Sequence, residues 1–360
     1  MPEAPASQSS VTSPSGQVGS SGSDVNRFDL TRSERNMTRQ SPILITGAGG
    51  EVGSVSKTIV HMLLEKQYPV RAFVKRDDER AEALRKAGAD VFVGNLLDLA
   101  DVAAAVKGCR RIYFSMSLNP YYTDASVLMA AAAQEQGDTE VFVNISEYEQ
   151  IYMTFDKMSA SRDSRRAWLG GLVGDWSRQQ RAHWASERAL KWSGLPVVNV
   201  QATMFVENPI LSWFPLKQLL CANELHLPFG SQKVAPIAAY DVAELCTKIL
   251  VDPSTHISKS YALTGPTLKD MHAVAEDFGA VLSRPIKYVP QDADAWIETY
   301  VNSVYASRNP HVASHIRTLV HLVAGGRYDV VDDQLERLLG RTPKDMQWAL
   351  KQSPRIREAL

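Results

Sequence analysis

Short apolar, β-branched runs alternate along this chain with stretches whose apolar residues recur at helical spacing. The first run, residues 43–46, ends in glycines and is followed by Val55, Ile59 and Leu63, which share one face of a helix. A second apolar run covers residues 69–74. Because strands that are separated by a helix pair in parallel, this stretch predicts a β-α-β unit.

The alternation continues through three more strands. We predict helices at 80–86, 101–107 and 123–136, and strands at 89–93, 111–115 and 140–146. These elements predict an α/β fold built on a doubly wound parallel sheet. Ligands of such sheets bind beyond the carboxyl ends of the strands. In this chain that edge carries Gly47, Lys75, Asn95, Ser115 and Ser146.

The turn after the first strand has the spacing Gly-x-x-Gly-x-x-Gly. Gly47 would let the chain turn, Gly50 would let the backbone approach a pyrophosphate, and Gly53 would let the helix pack closely on the strand. The free N–H groups of that helix would face the phosphates. Glycine spacing alone also fits an ordinary turn between strand and helix, but the β-α-β context favours a dinucleotide site.

Two cations, Lys75 and Arg76, follow the second strand. A site that prefers NAD places a carboxylate there for the ribose hydroxyls, whereas cations suit a 2′-phosphate. The pattern therefore favours NADPH over NADH. The alternative is a solvated basic turn, since Asp77, Asp78 and Glu79 come directly afterwards.

Several runs of residues carry a resemblance to a known family. They are 45–53, 70–75 and 88–96, followed in order by 187–196, 204–208, 227–230 and 241–244. From about Pro42 to past Pro266 the chain resembles the NmrA-like group of atypical short-chain dehydrogenases. The resemblance implies a Rossmann-like fold with a smaller, mainly helical C-terminal substrate domain, and NADP as the cofactor.

The resemblance also implies which residues bind the cofactor, in the glycine turn and at the ends of later strands. They are Gly47, Ala48, Gly49, Gly50, Glu51, Val52, Gly53, Lys75, Arg76, Asn95, Leu96, Ser115, Met116, Ser117, Ser146 and His183. Asn95 stands where the group usually has aspartate, so its amide oxygen would keep a contact with the adenine amino group without a charge.

The usual Tyr-x-x-x-Lys pair of short-chain dehydrogenases is absent from the expected region, and His183 stands where relatives often have lysine. The candidate catalytic residues are His183, Ser146, Tyr148 and Tyr152. An imidazole with an ordinary pKa of about 6.5 could donate a proton, and Ser146 could polarise a substrate oxygen. Alternatively, Ser146 caps a loop, the tyrosines pack in the core, and His183 only binds the cofactor ribose or the backbone.

Composition narrows the possible partners. The chain of 360 residues has 44% apolar and 22% charged residues and a net charge of −1, which provides no basic field for nucleic acid or anionic membranes. Its three cysteines lack disulfide or zinc spacing, which fits a reducing compartment. We expect a cytoplasmic protein without a metal site. His311 and His315, four residues apart, are expected to be a solvated pair.

We predict a disordered leader over 1–40, a cofactor-binding domain over 41–265 with an insertion at 147–178, and a mainly helical substrate or lid region over 266–360. The expected function is an NADPH-dependent oxidoreductase that reduces a small carbonyl, quinone or unsaturated compound, with secondary metabolism as its setting. The alternative is a non-catalytic NADP(H)-sensing regulator. We expect a small-molecule substrate and a monomer or homodimer.

Overall fold

A parallel sheet of seven strands forms the centre of the computed structural model, which describes residues 41–50 and 55–358. Its strand order is β3-β2-β1-β4-β5-β6-β8. A further two-stranded parallel sheet pairs β7 with β9. The predicted doubly wound α/β fold is confirmed. The strands are β1 Ile43–Thr46, β2 Val70–Val74, β3 Asp90–Val93, β4 Arg111–Phe114, β5 Val141–Glu147, β6 Val197–Ala202, β7 Glu224–Leu227, β8 Ser260–Leu263 and β9 Lys287–Pro290.

Helices cover both faces of the large sheet. Helices Val55–Glu65 and Ala239–Val251 pack on the side of β1 that carries Ile43 and Ile45. Helices Leu99–Val106 and Tyr122–Gln136 pack on the opposite side, which carries Leu44. All four residues of β1 are buried, as expected for a parallel strand with helices on both faces.

The helices that were predicted from apolar spacing are present, with ends that differ by one or two residues. In chain order the helices are Val55–Glu65, Glu79–Lys86, Leu99–Val106, Tyr122–Gln136, Phe155–Ser159, Arg162–Trp168, Arg178–Trp192, Pro209–Ser212, Leu216–Ala222, Ala239–Val251, Met271–Leu282, Ala293–Trp296, Ser303–Tyr305, Pro310–Ala324, Gln334–Leu339, Met346–Gln352 and Pro354–Arg357. A 3₁₀ segment covers Tyr148–Tyr152, and a π-helical segment covers Ile297–Asn302.

A separate hydrophobic core lies beside the sheet. It contains residues from the segment after β5, such as Tyr148 and Trp176, together with Phe229, Trp296 and Val320. This second core therefore draws on both sides of residue 265, and the predicted domain boundaries stay a prediction. The predicted leader, 1–40, lies outside the described residues. Within the described ranges, no helix combines the length and apolar character needed to cross a membrane.

Candidate active site

A cleft of about 270 Å³ opens at the carboxyl ends of β1 to β4, beside the point where the strand order reverses. The Thr46 hydroxyl joins the two strands that border this point, β1 and β4. It donates to the carbonyl oxygen of Ser115 at 2.7 Å and accepts from the Ser115 N–H at 2.8 Å. Open α/β sheets bind dinucleotides at this position.

The glycine turn forms one wall of the cleft. Gly47 has φ +76°, and a Cβ on it would lie 2.9 Å from the Ser115 carbonyl oxygen. Gly50 donates its N–H to the Gly47 carbonyl at 3.0 Å, and a Cβ on Gly50 would lie 3.1 Å from that oxygen. A side chain at Gly47 would clash with the end of β4, and one at Gly50 would stand in the lining of the cleft. The residues present therefore fit a dinucleotide whose pyrophosphate approaches the backbone.

Most of the predicted cofactor residues line this one cleft. They are Gly47, Gly49, Gly50, Lys75, Arg76, Asn95, Leu96, Ser115, Met116 and Ser117. Ala48 instead borders a neighbouring cavity of about 770 Å³. Glu51, Val52 and Gly53 lie outside the described residues.

The charges near Lys75 and Arg76 fit a phosphate group. Asp77 binds Arg85 at 2.7 Å, and the Asp78 carboxylate caps the helix that follows. Both carboxylates are therefore engaged. Within the described part of the chain, neither Lys75 nor Arg76 has an ion-pair partner, and both side chains are exposed at the cleft. Both cations are therefore available to a phosphate, and the choice between a phosphate site and a solvated basic turn stays a prediction.

Asn95 already uses its amide oxygen inside the protein. That oxygen accepts from the N–H of Leu97 at 3.1 Å, while the Asn95 N–H donates to Asp101 at 2.8 Å. These bonds hold the loop after β3 in place. The second lone pair of the oxygen and the amide hydrogens remain for contacts with adenine.

The Ser146 side chain is committed to another group. Its hydroxyl donates to Glu187 Oε1 at 2.5 Å, and the same carboxyl accepts from Gln201 Nε2 at 2.9 Å. Burial raises the pKa of Glu187, whereas these hydrogen bonds lower it. Ser146 thus links the end of β5 to helix Arg178–Trp192.

Tyr148 and Tyr152 pack with the second core. Their ring centroids are 6.2 Å apart, and the guanidinium carbon of Arg327 lies 4.1 Å from the centroid of the Tyr152 ring. Tyr148 is buried, and burial raises its pKa to about 12. The structure therefore does not bring the two phenols together with Ser146 in one set of hydrogen bonds.

His183 lies inside the protein. Its ring centroid is 4.3 Å from that of Tyr122, and its side chain is 8% exposed. Burial lowers the pKa of His183 to about 3, so the imidazole is neutral at physiological pH. The sequence suggested an imidazole that titrates near 6.5, because it could not show how completely the ring is covered.

The prediction that His311 and His315 form a solvated pair is wrong. His315 is only 4% exposed, and its Nδ1 lies 3.0 Å from the Ser177 hydroxyl oxygen. His311 Nε2 lies 2.7 Å from Gln179 Oε1. The two imidazoles share a face of helix Pro310–Ala324, as their spacing indicates, but helix Arg178–Trp192 covers that face.

Sequence reasoning missed Glu147, the last residue of β5. Its Oε1 lies 3.3 Å from His183 Nε2 and 3.6 Å from His315 Nε2. Burial, with a smaller contribution from Glu149, raises the pKa of Glu147 to about 8. The available signal was a carboxyl at the end of a buried parallel strand, directly after Ser146. Among the residues described, no cluster of three or more side chains is suited to hold a metal ion.

A protein family, a related enzyme and several solved structures are similar to this chain. The model of a family described as NAD(P)H-binding matches residues 47–253. An NAD(P)H azoreductase of Xenophilus azovorans is 25% identical over 247 residues, which are 69% of this chain and 76% of that protein.

Solved structures share the fold. An NADPH-dependent quinone oxidoreductase of Escherichia coli, complexed with NADPH, has a TM-score of 0.67 at 17% identity and covers 85% of this chain and 97% of its own. A triphenylmethane reductase of Citrobacter sp., complexed with NADP(H), has a TM-score of 0.66 at 16% identity and covers 88% and 100%. NmrA, a negative transcriptional regulator, has a TM-score of 0.67 at 17% identity and covers 89% and 97%. The NmrA fold agrees with the resemblance predicted from the sequence. The match over residues 47–253 shows that the chain belongs to the NAD(P)H-binding family.

Proposed function

We propose that this protein is an NADPH-dependent oxidoreductase that reduces a small carbonyl, quinone or unsaturated compound. The observation that carries the proposal is a hydrogen-bonded link between the cofactor cleft and a buried group of acid and imidazole side chains. Asn119 lines the cleft and donates its N–H to Gln179 Oε1 at 3.1 Å, and Gln179 Nε2 lies 3.1 Å from His183 Nε2. A site that only binds a cofactor has no need of such a link.

The preference for NADPH rests on Lys75 and Arg76. Both cations line the cleft on the β2 side, where the adenosine ribose of a dinucleotide lies in folds of this type. A 2′-phosphate there would meet two positive charges, whereas the neighbouring carboxylates in the described part of the chain, Asp77 and Asp78, bind Arg85 and the helix that follows. When bound, NADPH supplies a hydride, and the protein supplies position and a proton.

His183 is the proposed residue for proton transfer. Of the four predicted catalytic residues it is the one that is linked to the cleft through Gln179 and Asn119. Ser146 is held by Glu187, and Tyr148 and Tyr152 pack in the second core. We assign these three residues structural roles.

The activities named for the similar proteins support the choice of substrate class. They are reduction of quinones, azo compounds and triphenylmethane compounds, each with a nicotinamide cofactor. Secondary metabolism, the cytoplasmic location and the oligomeric state stay predictions.

A second function, cofactor sensing without catalysis, has one sequence feature in its favour. The chain lacks a Tyr-x-x-x-Lys pair in the expected region. NmrA, which shares the fold, is described as a transcriptional regulator.

NADPH oxidation in the presence of quinones, aldehydes, enones and azo compounds tests the choice. We expect consumption of NADPH with at least one acceptor class, faster than consumption of NADH. Tight binding of NADPH without turnover of any acceptor would favour the sensor.

A further inference from the structure

A second cavity, of about 770 Å³, adjoins the cofactor cleft. Ala48 and Gly50 of the glycine turn contribute to its lining, and Gly50 and Arg80 line the cleft as well. A dinucleotide that follows the glycine turn would therefore border both spaces. Small-molecule sites usually measure about 300–1,000 Å³, so the second cavity has room for a ligand of its own.

The lining of this cavity comes from elements on both sides of residue 265. Helices Val55–Glu65 and Glu79–Lys86 contribute to it, as do residues after β6 and the start of helix Ala239–Val251. The C-terminal helices Met346–Gln352 and Pro354–Arg357, with the residues beside them, contribute the remainder. Ligand sites commonly form where separate parts of a protein meet in this way.

Ion pairs anchor the C-terminal part of the wall. Arg341 Nη2 donates to Asp241 Oδ1 at 2.6 Å and to Glu244 Oε2 at 2.5 Å. The Lys344 N–H donates to Asp241 Oδ2 at 2.6 Å. Asp241 is fully buried in the first turn of helix Ala239–Val251. These bonds fix the chain just before helix Met346–Gln352, so the cavity is part of the folded structure.

Three aromatic side chains line the cavity, namely Trp213, Tyr240 and Trp348. Each is half-buried, so part of each ring is open to the cavity. The rings of Tyr240 and Trp348 pack together, with their centroids 5.0 Å apart. Flat rings pack favourably on such side chains, whereas a small aliphatic compound would cover little of their surface. The lining therefore favours an aromatic ligand.

Arg355 brings a cation to the same lining. Its guanidinium carbon lies 4.1 Å from the centroid of the Trp213 ring. Among the residues described, its side chain has neither an ion-pair nor a hydrogen-bond partner. A guanidinium carries five N–H donors in one plane, and a ring stacked on that plane leaves them available. Trp213 thus holds Arg355 in a state that can bind a carboxylate through two parallel hydrogen bonds.

The other cations of the lining differ in their engagement. Arg80 binds Asp78 at 2.6 Å. Lys57, from helix Val55–Glu65, is exposed and forms no ion pair within the described ranges. It adds a second positive charge that an anionic ligand would meet.

The acids of the lining do not neutralise Arg355. Glu79 and Glu358 are exposed, and neither forms an ion pair with it. The Glu207 carboxyl accepts from the Ala239 N–H at 3.2 Å, and burial raises the pKa of Glu207 to about 7. A large fraction of Glu207 is therefore uncharged at neutral pH. The Arg355 guanidinium stays available to an anion from outside the protein.

We propose that this cavity binds the compound to be reduced, and that its preferred ligands are flat aromatic compounds that carry a carboxylate; this rests on the oxidoreductase function proposed above. The aromatic ring packs against Tyr240 and Trp348, and the carboxylate binds Arg355. Trp213 is a positioning residue, because it acts through Arg355. Gly50, which both spaces share, places the ligand beside a bound dinucleotide.

Binding of 2-naphthoate and of its uncharged analogue 2-naphthamide to the full chain tests the carboxylate contact. Neither compound has to be reduced, so calorimetry measures affinity apart from turnover. We expect the wild type to bind 2-naphthoate more tightly. Arg355→Ala should weaken 2-naphthoate binding by about 10- to 100-fold and change 2-naphthamide binding little.

Arg357→Ala is the matched control, since Arg357 is an exposed cation of the same short helix and does not line the cavity. It should leave both affinities unchanged. Equal affinity of the two compounds for the wild type, or an unchanged preference in Arg355→Ala, would overturn the inference. A loss of NADPH affinity in Arg355→Ala without a change for 2-naphthoate would assign Arg355 to the cofactor phosphates and would also overturn it.

The aromatic contact has its own test. Trp348→Leu should weaken binding of both naphthyl compounds, whereas Trp192→Leu, at a tryptophan that is 78% exposed and outside the cavity, should weaken neither. Circular dichroism checks the fold of both variants. Equal binding by folded Trp348→Leu and the wild type would place the ring elsewhere and overturn the inference.

Turnover separates this inference from the proposed function. With an accepted substrate, 2-naphthoate should compete with that substrate and raise its KM while kcat stays unchanged. NADPH oxidation that 2-naphthoate does not inhibit would overturn this inference and leave the oxidoreductase function intact. Binding of 2-naphthoate without NADPH oxidation by any acceptor would overturn the oxidoreductase function, and with it the role of the cavity as a substrate site.

Discussion

Thr46 and Ser115 join the ends of β1 and β4 through two hydrogen bonds to a single hydroxyl, at 2.7 and 2.8 Å. The carbonyl oxygen of Ser115 is thereby held 2.9 Å from the position that a Cβ on Gly47 would take. The glycine turn is consequently fixed against the neighbouring strand, and the cleft has a rigid wall at the place where a pyrophosphate would lie.

Gly50→Val should abolish NADPH binding and leave the fold intact. Gly50 is exposed and its φ is not positive, so a side chain requires only a small shift of the Gly47 carbonyl, 3.1 Å from the Cβ, while it occupies the cleft. Gly174→Val is the matched control, because Gly174 is also exposed, without a positive φ, and does not line the cleft. Calorimetry with NADPH measures the effect, and circular dichroism checks the fold. Undiminished affinity in a folded Gly50→Val protein would show that NADPH does not bind in this cleft.

Replacement of Lys75 and Arg76 by alanine should weaken NADPH binding by about 10²- to 10⁴-fold, since hydrogen bonds to charged groups contribute about 1.5–3 kcal/mol each and two are lost. NADH binding should change little. Lys86→Ala, an exposed cation outside the cleft, is the control. The ratio of the two Kd values, measured by titration calorimetry, decides the question, and a double variant that keeps the wild-type ratio would show that the 2′-phosphate lies elsewhere.

Arg327→Ala should lower the free energy of unfolding by about 3–5 kcal/mol, because it leaves the fully buried Glu149 carboxylate without its cation. Arg337→Ala should cost less than about 1 kcal/mol, since its pair with Asp333 is exposed on both sides. Adding Glu149→Gln to Arg327→Ala should restore part of the loss. Urea unfolding measures all four proteins, and equal effects of the two arginine variants would contradict the assignment.

Relative to the wild type, Glu147→Gln should become more stable as the pH rises. The pKa of Glu147 is about 8 in the folded protein, against 4.5 as its ordinary value, so the folded state holds a proton that the unfolded state releases. Its stabilising contribution is complete below pH 4.5 and is lost as the pH rises to about 8, by up to about 1.4 kcal/mol for each pH unit. The glutamine variant has no such loss.

Thermal unfolding between pH 5 and 9 measures this difference, with Glu135→Gln, an exposed position, as the control. A difference that is constant across this pH range would contradict a neutral Glu147.

The sequence predicted the sheet because parallel strands that are buried on both faces leave continuous apolar runs, and β1 is the clearest case. It also predicted the glycine turn and the cations Lys75 and Arg76, because their roles depend on local spacing. The cluster around Glu147 depends on distant packing instead. His315 meets Glu147 only because helix Pro310–Ala324 packs on helix Arg178–Trp192.

Burial explains the difference for His183. An ordinary pKa of about 6.5 suggests a cationic donor, whereas burial keeps the covered ring neutral. The position of Glu147 beside this ring also required the distances. The sequence could place Glu147 at a strand end but could not show that its carboxyl oxygens lie between two imidazoles.

The most direct test of the account is the rate of NADPH oxidation by an accepted quinone, carbonyl or azo compound, measured against pH for the wild type and His183→Ala. The account predicts turnover in the wild type, and a kcat lower by a factor on the order of 10² in His183→Ala with the Kd for NADPH little changed. NADPH binding without oxidation by any acceptor, or full turnover in a folded His183→Ala protein, would contradict it.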